Sequence, residues 1–240
     1  MGEKQELSFL EHLEVLRGVL FKVTGVYVLL CIPAWFCAPY VLRSLLEYAA
    51  PEGFKLHYFT LMEPFFLQLK IMLTLALFAS LPFTLYMIWD FVAPALTKEE
   101  RAAVRRPLLL SFFLALAGAA FALGLIVPAV IRFSRSFEGP EMEAVIGIGS
   151  FVSMMLLSML ACAALFQFPV IMMILFAIGI VDSAWLKKQR AVVLVAILII
   201  AALVTPPDIV SQLMAAVPTY LLFELTLLLT CFAERKKDRS

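Results

Sequence analysis

Long stretches without a charged residue are the feature that most limits how this chain can fold. Six such stretches occur, and only the last is interrupted, by the single carboxylate Glu224. A helix that crosses about 30 Å of hydrocarbon needs roughly 20 apolar residues, and five of the stretches qualify directly. We therefore predict six membrane-spanning helices, at roughly residues 20–42, 70–90, 107–131, 150–180, 190–205 and 209–232.

Composition supports the same class. Hydrophobic residues make up 63% of the 240 residues and charged residues 15%, whereas soluble domains have about 45–50% and about 25%. The formal net charge of +1 shows no basic excess that would indicate a nucleic-acid partner. We predict an all-α integral membrane protein that forms a single polytopic membrane domain over residues 1–240.

The fourth stretch, residues 144–181, is long enough to be read as two spans. Its first residues include two glycines and a serine, and Gly179 and Asp182 mark its end, so we interpret it as one span with a preceding segment. The distribution of basic residues supports this interpretation. Reading two spans would move the three basic residues of the following loop to the opposite side of the membrane.

Lysine and arginine are distributed unequally between the two sides of the predicted bundle. With six spans, 14 basic residues lie on the side of both termini and five on the other side. Short cytoplasmic loops carry the excess of basic residues, so we predict that both termini are cytoplasmic. The predicted location is the cell inner (plasma) membrane.

Catalytic and metal-binding motifs are missing from the sequence. It contains no GxxxxGK[ST] phosphate loop, no HExxH and no GxSxG. The two histidines and four cysteines show no metal-ligand spacing. We therefore expect neither an enzyme nor a cofactor or metal site.

The remaining polar features lie near the predicted cytoplasmic face. The segment before the first span has apolar residues at helical spacing, which predicts an amphipathic helix along the interface. Glu14 and Arg17 lie on it three residues apart, which also fits an ordinary helix-surface pair. In the second loop, Thr97 and Glu100 fit a capping box. A carboxylate there would also attract a cationic peptide, because arginine binds carboxylate through two parallel hydrogen bonds.

Several longer motifs place the chain beside a known family. They are FLEHLEVLR before the first span, WDFVAPALTKEER after the second, FQFPV in the fourth, TPPD with SQ at residues 205–212, and P-x-x-x-x-F-E at 218–224. With these motifs the chain resembles the TatC family, the large subunit of the twin-arginine protein translocase, over essentially its whole length. The resemblance implies a receptor for the twin-arginine signal peptides of folded cargo. It also implies partners: single-span subunits of the TatA and TatB type and other copies of the chain itself.

The resemblance assigns roles to individual residues. Glu100 matches the loop carboxylate that receives the arginine pair, and Glu14 and Arg17 belong to the same signal-peptide site. The family usually has glutamate at the position of Val15. A shift of one residue turns a side chain by about 100° on a helix. Either Glu14 reaches across by changing its rotamer, or Glu100 carries most of the recognition.

The resemblance also implies a polar groove or partner-helix site. Its residues here are Gln167, Thr205, Asp208 and Gln212. Gln167 stands where the family usually has glutamate, so the position keeps its polarity without a charge and a role in proton exchange is disfavoured. A wet groove, a partner helix or a simple interhelical hydrogen bond each fit Gln167.

Prolines limit the last two spans. Pro206 and Pro207 must end the fifth helix near Val204, about 14 residues or roughly 21 Å after its start. The sixth has about 22 Å before Glu224. We predict short helices 5 and 6, local thinning of the bilayer beside them, and a cupped bundle whose helices splay at proline breaks near the outer side.

Two other classes of function fit parts of the sequence. A small-solute secondary transporter would need charged or strongly polar groups near the membrane midplane, where only Gln167 lies. A structural membrane scaffold would use the cytoplasmic polar residues only as helix caps. The motifs favour the translocase receptor over both.

Overall fold

The computed structural model describes residues 9–49, 56–93, 97–136, 146–204 and 209–237, and these ranges are almost entirely helical. The helices are α1 Phe9–Ala49, α2 Glu63–Val92, α3 Lys98–Phe121, α4 Val127–Arg135, α5 Ile148–Leu165, α6 Phe168–Ala177, α7 Ser183–Lys188, α8 Arg190–Val204 and α9 Ile209–Lys237. Two short strands, β1 Leu56–His57 and β2 Ile146–Gly147, complete the described elements.

Helix α1 is longer than the predicted first span. Its 41 residues extend about 61 Å and include the segment that was predicted to lie along the interface. In the structure this segment continues directly into the span, since no proline interrupts the helix before Pro33. Helix α1 packs along α2, and its other apolar side chains, such as Phe36 and Tyr40, point outward. The prediction of a separate N-terminal helix is therefore wrong.

The third and fourth spans each consist of two helices separated by a short break. A π-helical turn, Ala122–Ile126, joins α3 to α4 just before Pro128. The α5–α6 break lies at Phe166 and Gln167, just before Pro169. Proline has no backbone N–H, so the preceding turn cannot keep the regular hydrogen-bond pattern. Residues Ile148–Ala177 thus form one candidate span. It is followed by Gly179, with φ +75°, and by Asp182, the N-cap of α7.

Five described helical segments are long and apolar enough to cross a membrane, and α8 is a shorter apolar helix. Helix α8 has 15 residues, which agrees with the predicted short fifth helix. The helix of the sixth predicted span is not short. This helix, α9, has 29 residues and continues through Glu224. The Glu224 carboxylate forms an ion pair with Arg190, so it does not need to mark a helix end. Of the two last spans, only α8 is short enough to favour local thinning of the bilayer.

The outer side carries a small cap that the sequence patterns did not predict. Strands β1 and β2 pair in parallel and connect the first outer loop to the segment before α5. The Glu63 carboxylate accepts hydrogen bonds from the backbone N–H groups of Phe59 at 2.7 Å, Thr60 at 3.3 Å and Gly149 at 2.7 Å. A side chain larger than hydrogen at Gly149 would collide with Glu63. The cap therefore holds the start of α5 against the start of α2.

Candidate functional site

Glu100 lies in the first turn of α3, at the cytoplasmic end of the third span. The helix begins at Lys98, directly after Thr97, whose backbone oxygen accepts a hydrogen bond from the N–H of Arg101 at 2.9 Å. This start agrees with the predicted cap position. The positive end of the helix dipole favours a carboxylate in this turn.

Arg101 fixes the start of α3 against the end of α2. Its Nε and Nη2 atoms both donate to the backbone oxygen of Ala93, at 3.0 and 2.6 Å. Ala93 is the C-cap of α2 and is buried. Because two N–H groups of one guanidinium converge on the same oxygen, they restrict its orientation and tie the start of α3 to the end of α2. The first turn of α3 has a defined position on a rigid element.

Glu14 and Arg17 both lie on the exposed surface of α1. The two described side chains are not joined by an ion pair, so the helix-surface pair is not formed. The Arg17 guanidinium instead lies 5.5 Å from the centre of the Phe21 ring, in a cation–π contact. Val15 is exposed as well, with 45% of its surface accessible. A carboxylate at either position 14 or 15 is therefore accessible to a binding partner.

Gln167 connects two spans through hydrogen bonds. Its Nε2 donates to the backbone oxygens of Ser111 at 3.1 Å and Ala163 at 3.3 Å, and its Oε1 accepts from the Ser111 hydroxyl. The residue is half-buried at the break between α5 and α6. Both backbone partners are acceptors, so an amide fits here and an ionised carboxylate would not. Of the predicted alternatives, the interhelical hydrogen bond is the one found in this chain.

Gln212 connects α9 to α8, because its Nε2 donates to the backbone oxygen of Leu198 at 3.0 Å. This contact is separate from the hydrogen bonds of Gln167, so the structure does not bring the two glutamines into one direct network. Thr205 and Asp208, the other two predicted residues of this site, lie outside the described residues.

An ion pair that the sequence analysis missed lies between the last two spans. Arg190 Nη2 is 2.8 Å from Glu224 Oε2, and the Tyr220 hydroxyl donates to Glu224 Oε1 at 2.9 Å. Glu224 alone interrupts the sixth apolar stretch, and Arg190 directly precedes the fifth. Opposite charges at the edges of adjacent spans were the signal that could have predicted this pair.

The described residues include no group of three or more His, Cys, Asp or Glu side chains that could hold a metal ion. The fold and the placement of its polar groups define a class: a polytopic α-helical membrane protein with charged groups at its cytoplasmic helix ends and hydrogen-bonded amides between its spans.

Comparison with known proteins identifies the family. Residues 11–218 match the family described as "Sec-independent protein translocase protein (TatC)". The chain is 32% identical to TatCy of Bacillus subtilis over 98% of its length and 93% of that protein, and 31% identical to TatC of Escherichia coli O6:H1 over 94% and 88%. A crystal structure of the twin-arginine translocase receptor TatC in DDM superimposes with a TM-score of 0.81 at 26% identity, covering 91% of this chain and 99% of that one.

The chain belongs to the TatC family. It is a receptor subunit of the twin-arginine translocase, a multi-pass protein of the cytoplasmic membrane and not an enzyme. The six-span all-α fold expected from the sequence is confirmed by the structural match. Family membership also decides against a small-solute transporter and against a purely structural scaffold.

Proposed function

We propose that Glu100 and Glu14 bind the arginine pair of a signal peptide at the cytoplasmic face, with Arg17 as part of the same surface. The observation that carries the proposal is the position of Glu100, in the first turn of a helix whose start is fixed by the Arg101–Ala93 hydrogen bonds. A carboxylate on a rigid element can receive a guanidinium in a defined geometry. The exposed position of Glu14 on α1 supplies a second acceptor.

We further propose that single-span subunits of the TatA and TatB type bind along the last spans, and that other copies of this chain join the complex. Short helix α8 and the polar residues Thr205, Asp208 and Gln212 support this placement. The amide of Gln212 already bonds to Leu198. A partner would therefore use the outer surface of this helix pair, with Gln167 keeping the fourth span in place behind it.

A twin-arginine peptide tests the first proposal directly. With a photoreactive group beside its arginine pair, the peptide is expected to crosslink to residues near Glu100, whereas the twin-lysine version gives little product. The reason is that lysine has the same charge but cannot form two parallel hydrogen bonds with one carboxylate. Equal crosslinking of both peptides would show that charge alone attracts them and would contradict the proposed geometry.

Replacing Glu14 by alanine is expected to lower peptide affinity about fivefold, since one exposed charge near a membrane surface contributes about 1 kcal/mol. The measurement is a titration of the fluorescent twin-arginine peptide against purified protein. Adding Val15→Glu to the Glu14→Ala variant is the matched control, because it moves the carboxylate to the usual position of the family. We expect the double variant to recover the affinity that Glu14→Ala loses. If both variants bind the peptide as tightly as the unaltered protein does, Glu14 has no role and Glu100 alone recognises the arginine pair.

A further inference from the structure

A groove of about 670 Å³ lies between the cytoplasmic halves of α2 and α3. Its walls come from one face of each helix. Helix α2 contributes the face with Pro82, Leu85, Tyr86 and Trp89, and α3 the face with Leu108, Leu109, Phe112 and Phe113. Leu85, Trp89, Leu108 and Phe112 are partly buried, whereas Tyr86, Leu109 and Phe113 are more than half exposed along the rim. The groove is thus apolar along most of its length and open to the surrounding membrane.

Two arginines border the cytoplasmic end of this groove. Arg101 and Arg105 are four residues apart on α3, so they lie on the same side of the helix as the apolar wall. Arg101 uses two of its five N–H groups for Ala93, which leaves three donors. Arg105 is exposed and has no hydrogen bond or ion pair with any other residue in the described part of the chain. The end of the groove is therefore positively charged and rich in donors.

The size and charge of the groove fit one lipid molecule of the inner leaflet. From Arg101 to Phe113, α3 rises about 18 Å, and one leaflet of a bilayer contributes roughly half of the 30 Å hydrocarbon core. The cytoplasmic leaflet carries the anionic lipids, which basic groups at the membrane surface attract. Tyr86 and Trp89 lie at the level where aromatic side chains prefer the interface.

We propose that this groove is a binding site for an anionic phospholipid. One acyl chain lies between α2 and α3, and the phosphate of the headgroup accepts hydrogen bonds from Arg105 and from the remaining donors of Arg101. None of the residues that line the groove carries a carboxylate, so the arginine pair of a signal peptide finds no acceptor within it. A membrane-spanning partner helix would need contacts across the full bilayer, about twice the length of the groove.

Tryptophan fluorescence can test this site, because Trp89 lines the groove and the chain has only two other tryptophans, Trp35 and Trp185. With both replaced by phenylalanine, the protein is reconstituted into phosphatidylcholine vesicles that contain a minor fraction of brominated phosphatidylglycerol or, separately, of brominated phosphatidylcholine. Bromine quenches a tryptophan that it touches. We expect phosphatidylglycerol to bind beside Trp89 at least fivefold more strongly than phosphatidylcholine, since each basic group contributes about that factor.

Substitutions at Arg105 distinguish a specific lipid-binding site from general electrostatic attraction between anionic lipids and basic residues. Arg105→Gln is expected to reduce the preference for phosphatidylglycerol over phosphatidylcholine about fivefold. Arg105→Lys should keep most of this preference because the charge remains. Lys187→Gln removes one exposed positive charge from α7 on the same membrane side and should change nothing at Trp89. Equal quenching by both lipids, or an equal loss in Arg105→Gln and Lys187→Gln, would overturn the proposal. Quenching of Trp89 by a brominated signal peptide in place of the lipid would also overturn it and assign the groove to the peptide.

Discussion

Replacing Glu100 by glutamine is expected to abolish export of cargo that carries a twin-arginine signal. The change keeps the size of the side chain but removes the charge that we propose binds the guanidinium groups. A hydrogen bond to a charged group is worth about 1.5–3 kcal/mol, so losing two of them lowers peptide affinity about 100-fold or more. The measurement is the exported fraction of a folded reporter in living cells, together with peptide binding to the purified variant.

Glu99→Gln is the matched control for this prediction. It removes the same charge from the neighbouring position, which points about 100° away on the helix. We expect its export and binding to stay close to those of the unaltered protein. If both variants lose export equally, the total negative charge of the loop matters more than the position of Glu100. Export at the normal rate by Glu100→Gln, at a normal amount of protein in the membrane, would disprove the proposed role.

Replacing Gly118 by alanine is expected to destabilise the bundle, although the change adds only one methyl group. A Cβ atom at this position would lie 2.5 Å from the backbone oxygen of Cys162 and 2.9 Å from the Cα of Ala163. Those atoms belong to the backbone of α5, so no side chain can move aside. Helices α3 and α5 would have to separate, at a cost of about 1–3 kcal/mol. Thermal unfolding in detergent, followed by fluorescence, should show a midpoint lowered by roughly 2–12 °C.

Gly25→Ala provides the comparison. Gly25 lies within α1, and no atom lies within 4 Å of the position where its Cβ would be. Alanine is the better helix former by about 1 kcal/mol, so this variant should unfold at the same or a slightly higher temperature. A Gly118→Ala variant that unfolds at the temperature of Gly25→Ala would show that the two helices do not approach as closely as the structure indicates.

Gln167 stands where the family usually has glutamate, and its contacts explain why an amide fits this position. The side-chain amide donates to two backbone oxygens and accepts from the Ser111 hydroxyl, so each of its polar atoms has a partner. An ionised glutamate would place negative charge against those same two oxygens. In this chain the position joins the third and fourth spans without a titratable group. Gln167 therefore cannot take part in proton exchange.

The sequence by itself determined the class of the protein, the number of its spans, its orientation and its family. These properties depend on the hydrophobicity and charge of individual segments and on local motifs, which can be read without knowing which segments meet. The same local information identified Glu100 as the first-turn carboxylate of α3 and Gly179 with Asp182 as the end of the fourth span. Local sequence information overestimates the effect of Glu224, because a charge in an apolar stretch suggests a helix end, whereas α9 continues through this residue.

Only the tertiary structure decided what depends on contact between distant segments. The Arg190–Glu224 ion pair lets α9 continue as one helix. The hydrogen bonds between Gln167 and Ser111 hold a neutral amide in the fourth span, where the family usually has a glutamate. The small residues Ala115, Ala119 and Ala122 around Gly118 favour close packing of α3 against another helix. Their pattern does not show which helix that is. Periodicity shows which face of a helix is apolar or small. Which helix packs against that face is set by the energies of many contacts together, and those exist only in the folded bundle.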